Sequence, residues 1–285
     1  MAAGDDDAAA PAVAFVLGGG GIMGAAEVGM LRALGEAGIT PGLVLGTSVG
    51  AINGVVLAAA PDTAVDRLAA LWTGIKDDSP FGGSILERVA TLARSRTYLH
   101  GNEALLRLLE TNLDVRRFED LEVPFQCVAA VIERADARWF ASGPLLPAVL
   151  ASAAVPGLLP PVEIDGEHHL DGGLVHSIPV GRAIELGARQ VFVLHVGRIE
   201  QPLALPTNPW ELGAVTFEIA RRHRFVEELA RVPDDVDVHV LPTGVDHPRY
   251  SDPRQLRYRD PSQVATRIDD AYTATVAYLA ETGPW

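Results

Sequence analysis

Apolar and polar positions along the chain follow two different periods. Val13–Leu17 has no polar position and predicts a short strand buried on both faces. Four glycines follow at 18–21. The period then changes: Val28, Leu31 and Leu34 recur at a spacing of three, which predicts a helix over 24–37 capped by Gly38. The same unit recurs at once, with a strand at 43–45, the turn Gly46-Thr47-Ser48-Val49-Gly50 and an alanine-rich buried helix at 51–60. Strand, turn and helix, twice in succession, predict a parallel sheet with helices on its faces.

Residues 62–118 read as mostly helical, interrupted at 79–83 by Ser-Pro-Phe-Gly-Gly, where a surface loop or a mobile cover over a site is expected. A strand at 125–132 pairs with 138–141, and a small-residue helix at 145–154 stops before Pro156. Within 162–170, Asp165-Gly166 signals a hairpin that delivers Asp171-Gly172-Gly173. Pro179 opens a short helix that Gly187 closes. A strand at 191–196, a helix at 209–231, a strand at 236–241 and a helix at 262–281 complete the chain, with proline-bearing connections at 202–209 and 242–261. No repeat or linker divides it. The expectation is a short disordered tail at 1–11 and one domain over 12–285, its motifs within 13–196 and an extension at 197–285.

Composition narrows the classes. A content of 48% hydrophobic and 21% charged residues is ordinary for a globular enzyme, and a chain of 285 residues buries a core without disulfide staples. Cys127 is the single cysteine, so no intrachain disulfide forms, which fits a reducing compartment. A net charge of −14 disfavours nucleic acid as a partner. The basic clusters at Arg94 and Arg96, at Arg116 and Arg117, and at Arg221, Arg222 and Arg224 read as solvated helix faces. The first ten residues have no basic n-region or long apolar run and do not read as a signal peptide. No stretch reaches the ~18 apolar residues of a membrane span. A cytoplasmic location is expected, with any membrane contact peripheral. Oligomeric state is not legible.

Three short motifs carry candidate chemistry. Gly46-Thr47-Ser48-Val49-Gly50 is a G-x-S-x-G between a strand and a helix, the setting in which a strained turn exposes a serine hydroxyl. The helix behind it places partial positive charge near developing anions. The bland alternative is a serine N-cap beside a close turn. The glycine loop 18–24 has three readings. A phosphate loop of the Walker type needs a lysine, which is absent. A dinucleotide fingerprint is met literally by Gly19, Gly21 and Gly24, but the second strand carries no acidic residue between Thr40 and Asn53. An oxyanion hole formed by the amides of Gly19, Gly20 and Gly21 remains, because adjacent parallel strands end at one sheet edge.

A serine nucleophile needs a base. None of the eight histidines stands in a recognisable catalytic context, although His176 lies close in sequence to Asp171. Asp171, after a hairpin and before Gly172-Gly173, is the better candidate; its bland alternative is an ordinary Asp-Gly turn.

As an ordered set, Gly19-Gly20-Gly21-Ile22-Met23-Gly24, Gly46-Thr47-Ser48-Val49-Gly50 and Asp171-Gly172-Gly173 resemble the patatin-like phospholipase family. Ala151-Ser152-Ala153-Ala154-Val155-Pro156 and Ile178-Pro179-Val180 add to the likeness, which covers roughly 13–196. The resemblance implies a three-layer α/β/α sandwich with a mostly parallel sheet. It implies a carboxylic ester hydrolase acting on acyl esters in lipids, without metal or organic cofactor. It gives Ser48 the role of nucleophile, Asp171 that of base, and the Gly19, Gly20 and Gly21 amides that of oxyanion hole. Gly24, Gly46, Gly50, Gly172 and Gly173 support those motifs. The chain departs from many members at Met23, where arginine or lysine is common, and at His176 or Ser177, where asparagine is common. Two other classes are a nucleotide-binding α/β protein using the loop from Gly19 to Gly24 and a catalytically silent interaction protein.

Overall fold

A computed structural model describes residues 12–74, 97–196, 202–203, 205–244 and 261–285. Its strands are β1 (Val13–Leu17), β2 (Leu43–Gly46), β3 (Phe125–Val131), β4 (Asp136–Phe140), β5 (Val162–Ile164), β6 (Glu167–Asp171), β7 (Gln190–Leu194) and β8 (Asp237–Val240). Its helices are α1 (Ala25–Glu36), α2 (Val49–Ala59), α3 (Ala64–Thr73), α4 (Glu103–Asn112), α5 (Leu145–Ser152), α6 (Val180–Glu185), α7 (Pro209–Leu229) and α8 (Pro261–Thr282).

The order β3-β2-β1-β7-β8 is parallel throughout, while β4 and β6 pair antiparallel with β3, and β5 with β6. Successive side chains of a strand point to opposite faces, so a sheet covered twice needs apolar residues at every position. Phe15 and Leu17 of β1, with Phe192 and Leu194 of β7, enter a core under α1, α2, α3, α4, α5 and α8. Ala14, Val16, Val191 and Val193 enter a second core against α6 and Phe225 of α7. The result is an α/β/α sandwich whose sheet is parallel at its centre.

Local signals set the boundaries. Gly38 has φ 74°, and the Ile39 amide donates back to Leu34 O at 3.0 Å, which closes α1 as a glycine-capped C-terminus. Asp165 and Gly166 both have positive φ, 55° and 80°, the conformation a two-residue hairpin turn requires. The helical reading of 62–118 is too long at its end: α4 stops at Asn112, and Leu113 turns extended to bury its side chain. The tail at 1–11 and the interruption at 79–83 lie outside the described residues. Among the described residues no helix is long and apolar enough to cross a membrane.

Candidate active site

Parallel pairing sets Leu17 opposite Gly46, so the glycine loop after β1 and the turn after β2 leave the sheet side by side. The Thr47 amide donates to Leu17 O at 3.1 Å, and the Thr47 hydroxyl to His176 O at 2.8 Å. Between these anchors Ser48 takes φ 57° and ψ −122°, a conformation that L-residues rarely adopt and that costs of order 1–3 kcal/mol. The Ser48 amide donates to Ser152 Oγ of α5 at 3.1 Å. Two glycines make the turn possible. A Cβ on Gly50 would lie 2.2 Å from Leu17 O, and one on Gly46 would lie 2.5 Å from Gly50 O.

Register explains how Asp171 reaches Ser48 across more than a hundred residues. Cys127 of β3 pairs with Gly46 on one edge and with Phe140 of β4 on the other. Ala129 pairs with Arg138 of β4 and with Asp171, so Asp171 occupies the edge that β2 uses. β2 and β6 therefore follow one another along one side of β3. Their ends are two residues apart, a span of about 7 Å. The Ser48 hydroxyl donates to Asp171 Oδ2 at 2.5 Å, and the Gly173 amide donates to Asp171 Oδ1 at 2.7 Å. Gly172 allows the close approach, since a Cβ there would lie 2.1 Å from Val128 O. Gly173 packs against Phe217, and Gly24 against Val49 at the start of α2.

Ser48 and Asp171 are both buried, at 7% and 3% exposure. Burial raises Asp171 from an ordinary 3.8 to about 6, against the lowering effects of the Ser48 and Gly173 hydrogen bonds and of the Arg221 charge. It is thus ionised at neutral pH, yet a stronger base than a solvated carboxylate.

The glycine loop lies against this pair: a Cβ on Gly19 would sit 3.4 Å from Ser48 Cβ. The three candidate amides are not equivalent. The Gly19 amide is already engaged, donating to Ser177 O at 3.0 Å. Those of Gly20 and Gly21 have no acceptor among the described residues. The loop's carbonyls are gripped at both ends: Gly24 O accepts from Asn53 Nδ2 at 2.9 Å, and Gly19 O from Arg221 Nη1 at 2.6 Å.

Arg221 overturns the solvated-face reading of its cluster. It is 7% exposed, as is fitting for a guanidinium held by the buried Glu218 through Nε at 2.9 Å and Nη2 at 3.2 Å. Arg222 also donates to Glu218, at 2.8 Å, and only Arg224 of the three is half exposed. The available signal was an acidic residue three and four places before two arginines on a partly apolar helix. Ser152 was likewise missed as a partner of Ser48; its signal was a lone hydroxyl in an apolar helix.

His176 stands apart from this chemistry. Its Nε2 faces Arg224 at 3.1 Å and so accepts, which places the ring proton on Nδ1, 3.2 Å from Glu228. The ring packs on Trp139. His168 pairs with Glu133, and His169 packs on Phe140. Among the described residues no group of three or more His, Cys, Asp or Glu is arranged to hold a metal ion.

The family model for Patatin-like phospholipase matches residues 15–184, which include the glycine loop, Ser48 and Asp171. The patatin-like phospholipase domain-containing protein ZK370.4 of Caenorhabditis elegans is 35% identical over 207 residues, covering 71% of this chain and 14% of that protein. Lysophospholipase nte1 of Emericella nidulans is 36% identical over 190 residues, covering 66% of this chain and 12% of that protein. Mouse patatin-like phospholipase domain-containing protein 7 is 31% identical over 188 residues, covering 65% and 14%. The chain thus spans a small part of the length of these relatives. Among solved structures, VipD from Legionella pneumophila aligns with a TM-score of 0.47 at 14% identity, covering 95% of this chain and 67% of that one.

An α/β/α sandwich with a parallel centre defines the class of fold. Within it, the chain belongs to the patatin-like phospholipase family.

Proposed function

We propose that the protein hydrolyses fatty-acyl esters of phospholipids, lysophospholipids or acylglycerols through Ser48 and Asp171. The observation that carries this reading is the 2.5 Å hydrogen bond from a strained serine hydroxyl to a buried carboxylate. Asp171 Oδ2 takes the Ser48 proton as Oγ bonds to the ester carbonyl carbon. The carbonyl oxygen becomes an oxyanion held by the Gly20 and Gly21 amides. The narrowing from three glycines to two follows from the engagement of Gly19. The carbon–oxygen bond to the alcohol then breaks, and protonated Asp171 returns its proton to the leaving alkoxide. Water attacks the acyl-enzyme, Asp171 accepts its proton, and the fatty acid leaves as Ser48 is reprotonated. Substrate reaches the site by peripheral contact with a lipid surface, and no step calls on a metal or organic cofactor.

The test is hydrolysis of a chain-length series of esters, with fluorophosphonate labelling of Ser48. The expected result is stoichiometric labelling and loss of about 10³-fold or more in kcat for Ser48→Ala. Activity that persists in Ser48→Ala removes the nucleophile; an unlabelled, inactive wild type favours a silent interaction protein.

A further inference from the structure

Arg221 lies on α7, beyond the residues 15–184 matched by the family model, and reaches the glycine loop across 202 residues of sequence. We infer that Arg221 is a positioning residue for the hydrolysis proposed above: it fixes the glycine loop through the Gly19 carbonyl and supplies the positive charge that faces Asp171. This inference rests on the Ser48–Asp171 reading and deepens it.

Peptide planarity carries the first half. The carbonyl and amide of one trans peptide point in opposite directions. Arg221 Nη1 holds Gly19 O at 2.6 Å, so the amide of the same peptide, that of Gly20, is turned away from α7. A loop of glycines has many competing conformations. One charge-assisted bond to its carbonyl selects among them. The same Nη1 donates to Ser177 Oγ at 3.2 Å, and Ser177 O is the acceptor that engages the Gly19 amide. Arg221 therefore grips the loop directly and also braces the residue that holds it from the other side. The guanidinium is aimed in turn by Glu218 through two of its nitrogens. The loop itself, residues 18–24, contains no lysine or arginine.

Charge carries the second half. Arg221 reaches the loop at Gly19, which lies against Ser48, the hydrogen-bond partner of Asp171. Its positive charge there favours the ionised form of Asp171 and opposes the cost of burial. Among the neighbouring titratable groups, His176 and Arg224 face each other and Glu228, His169 packs on Phe140, and His195 stacks beside Phe225 with Nδ1 near Gly18 of the loop.

Arg221→Gln keeps a donor and removes the charge; Arg221→Lys keeps the charge and removes the fork. Esterase kinetics across pH on wild type, both variants and Ser48→Ala separate the possibilities. For Arg221→Gln the expectation is a kcat about 10- to 100-fold lower, KM within about threefold, and an acid limb moved to higher pH. For Arg221→Lys the expectation is a lowered kcat with the acid limb at its wild-type position. Should Arg221→Gln fail to fold, by circular dichroism, Arg221→Lys decides alone, and a wild-type kcat there overturns the inference. An unmoved acid limb in a folded Arg221→Gln overturns it as well, because a purely structural residue lowers stability without moving that limb. Activity that survives in Ser48→Ala overturns the underlying reading, and the inference with it; activity lost in Ser48→Ala beside an unaffected Arg221→Gln overturns the inference alone.

Discussion

Two buried carboxyl groups flank the glycine loop, and they have opposite fates. Under the loop, Glu27 of α1 accepts from Asn53 Nδ2 at 2.7 Å, and Asn53 in turn accepts from Trp72 Nε1 at 3.0 Å. Burial pushes Glu27 well above the usual carboxyl range, and no described cation offsets that cost. Beside the loop, Asp171 is also desolvated and also has a side-chain and a backbone donor, Ser48 and Gly173, but the Arg221 charge is added to them, and it is raised only to about 6. The first environment disfavours the charged form of an acid that braces the loop through Asn53 and Gly24 O. The second yields a base that is charged at neutral pH. Burial with neutral donors alone makes a structural acid; burial with a cation and a hydroxyl partner makes a reactive one.

The comparison is broken most severely by removing the charge at Asp171. Asp171→Asn is expected to lose about 10³- to 10⁴-fold in kcat for ester hydrolysis, measured beside an unchanged circular dichroism spectrum. A variant within tenfold of wild type would mean that the serine uses another base. In the wild type, kcat/KM should fall as pH drops through about 6, where Asp171 takes up its proton.

A second effect is on stability and has a definite sign. The folded state holds the Asp171 proton more tightly than the unfolded chain does, with about 6 against an ordinary 3.8. The stability this contributes is fully present below about pH 4 and is lost as pH rises through about 6. At neutral pH the ionised wild type has therefore forgone on the order of 2–3 kcal/mol. Asp171→Asn escapes that loss, so its denaturation midpoint should exceed that of wild type at pH 7, with the gap closing toward pH 4. A gap that is constant with pH would show that Asp171 is not raised.

The smallest effect on activity is expected at the other acid. Glu27→Gln keeps the shape and removes a carboxyl whose charged form burial disfavours. Its activity should stay within about twofold. The folded state holds the Glu27 proton more tightly than the unfolded chain does, so the wild type loses stability as pH rises above the ordinary carboxyl range, and the variant's denaturation midpoint should gain on that of wild type between pH 5 and 7. A midpoint difference that does not change over that range would show that Glu27 is not raised and would erase the contrast with Asp171.

What the sequence determined by itself is local. The two strand–turn–helix units, the caps at Gly38 and Gly187, the Asp165-Gly166 turn and the three motifs are each specified by residues that touch one another within a few positions, so their spacing encodes them. The tertiary structure decided which of these local pieces meet. Ser48 and Asp171 are joined by the register of β3, which no short pattern records. The partners of Gly19 O and the Ser48 amide come from α7 and α5, 202 and 104 residues away. Arg221 read as a solvated cation because helical periodicity reports which face is apolar, not which buried charge awaits it. The physical reason is the same in each case: local conformation is set by short-range sterics and hydrogen bonds, whereas the ionisation of an acid and the aim of an amide are set by distant groups that packing alone brings within reach.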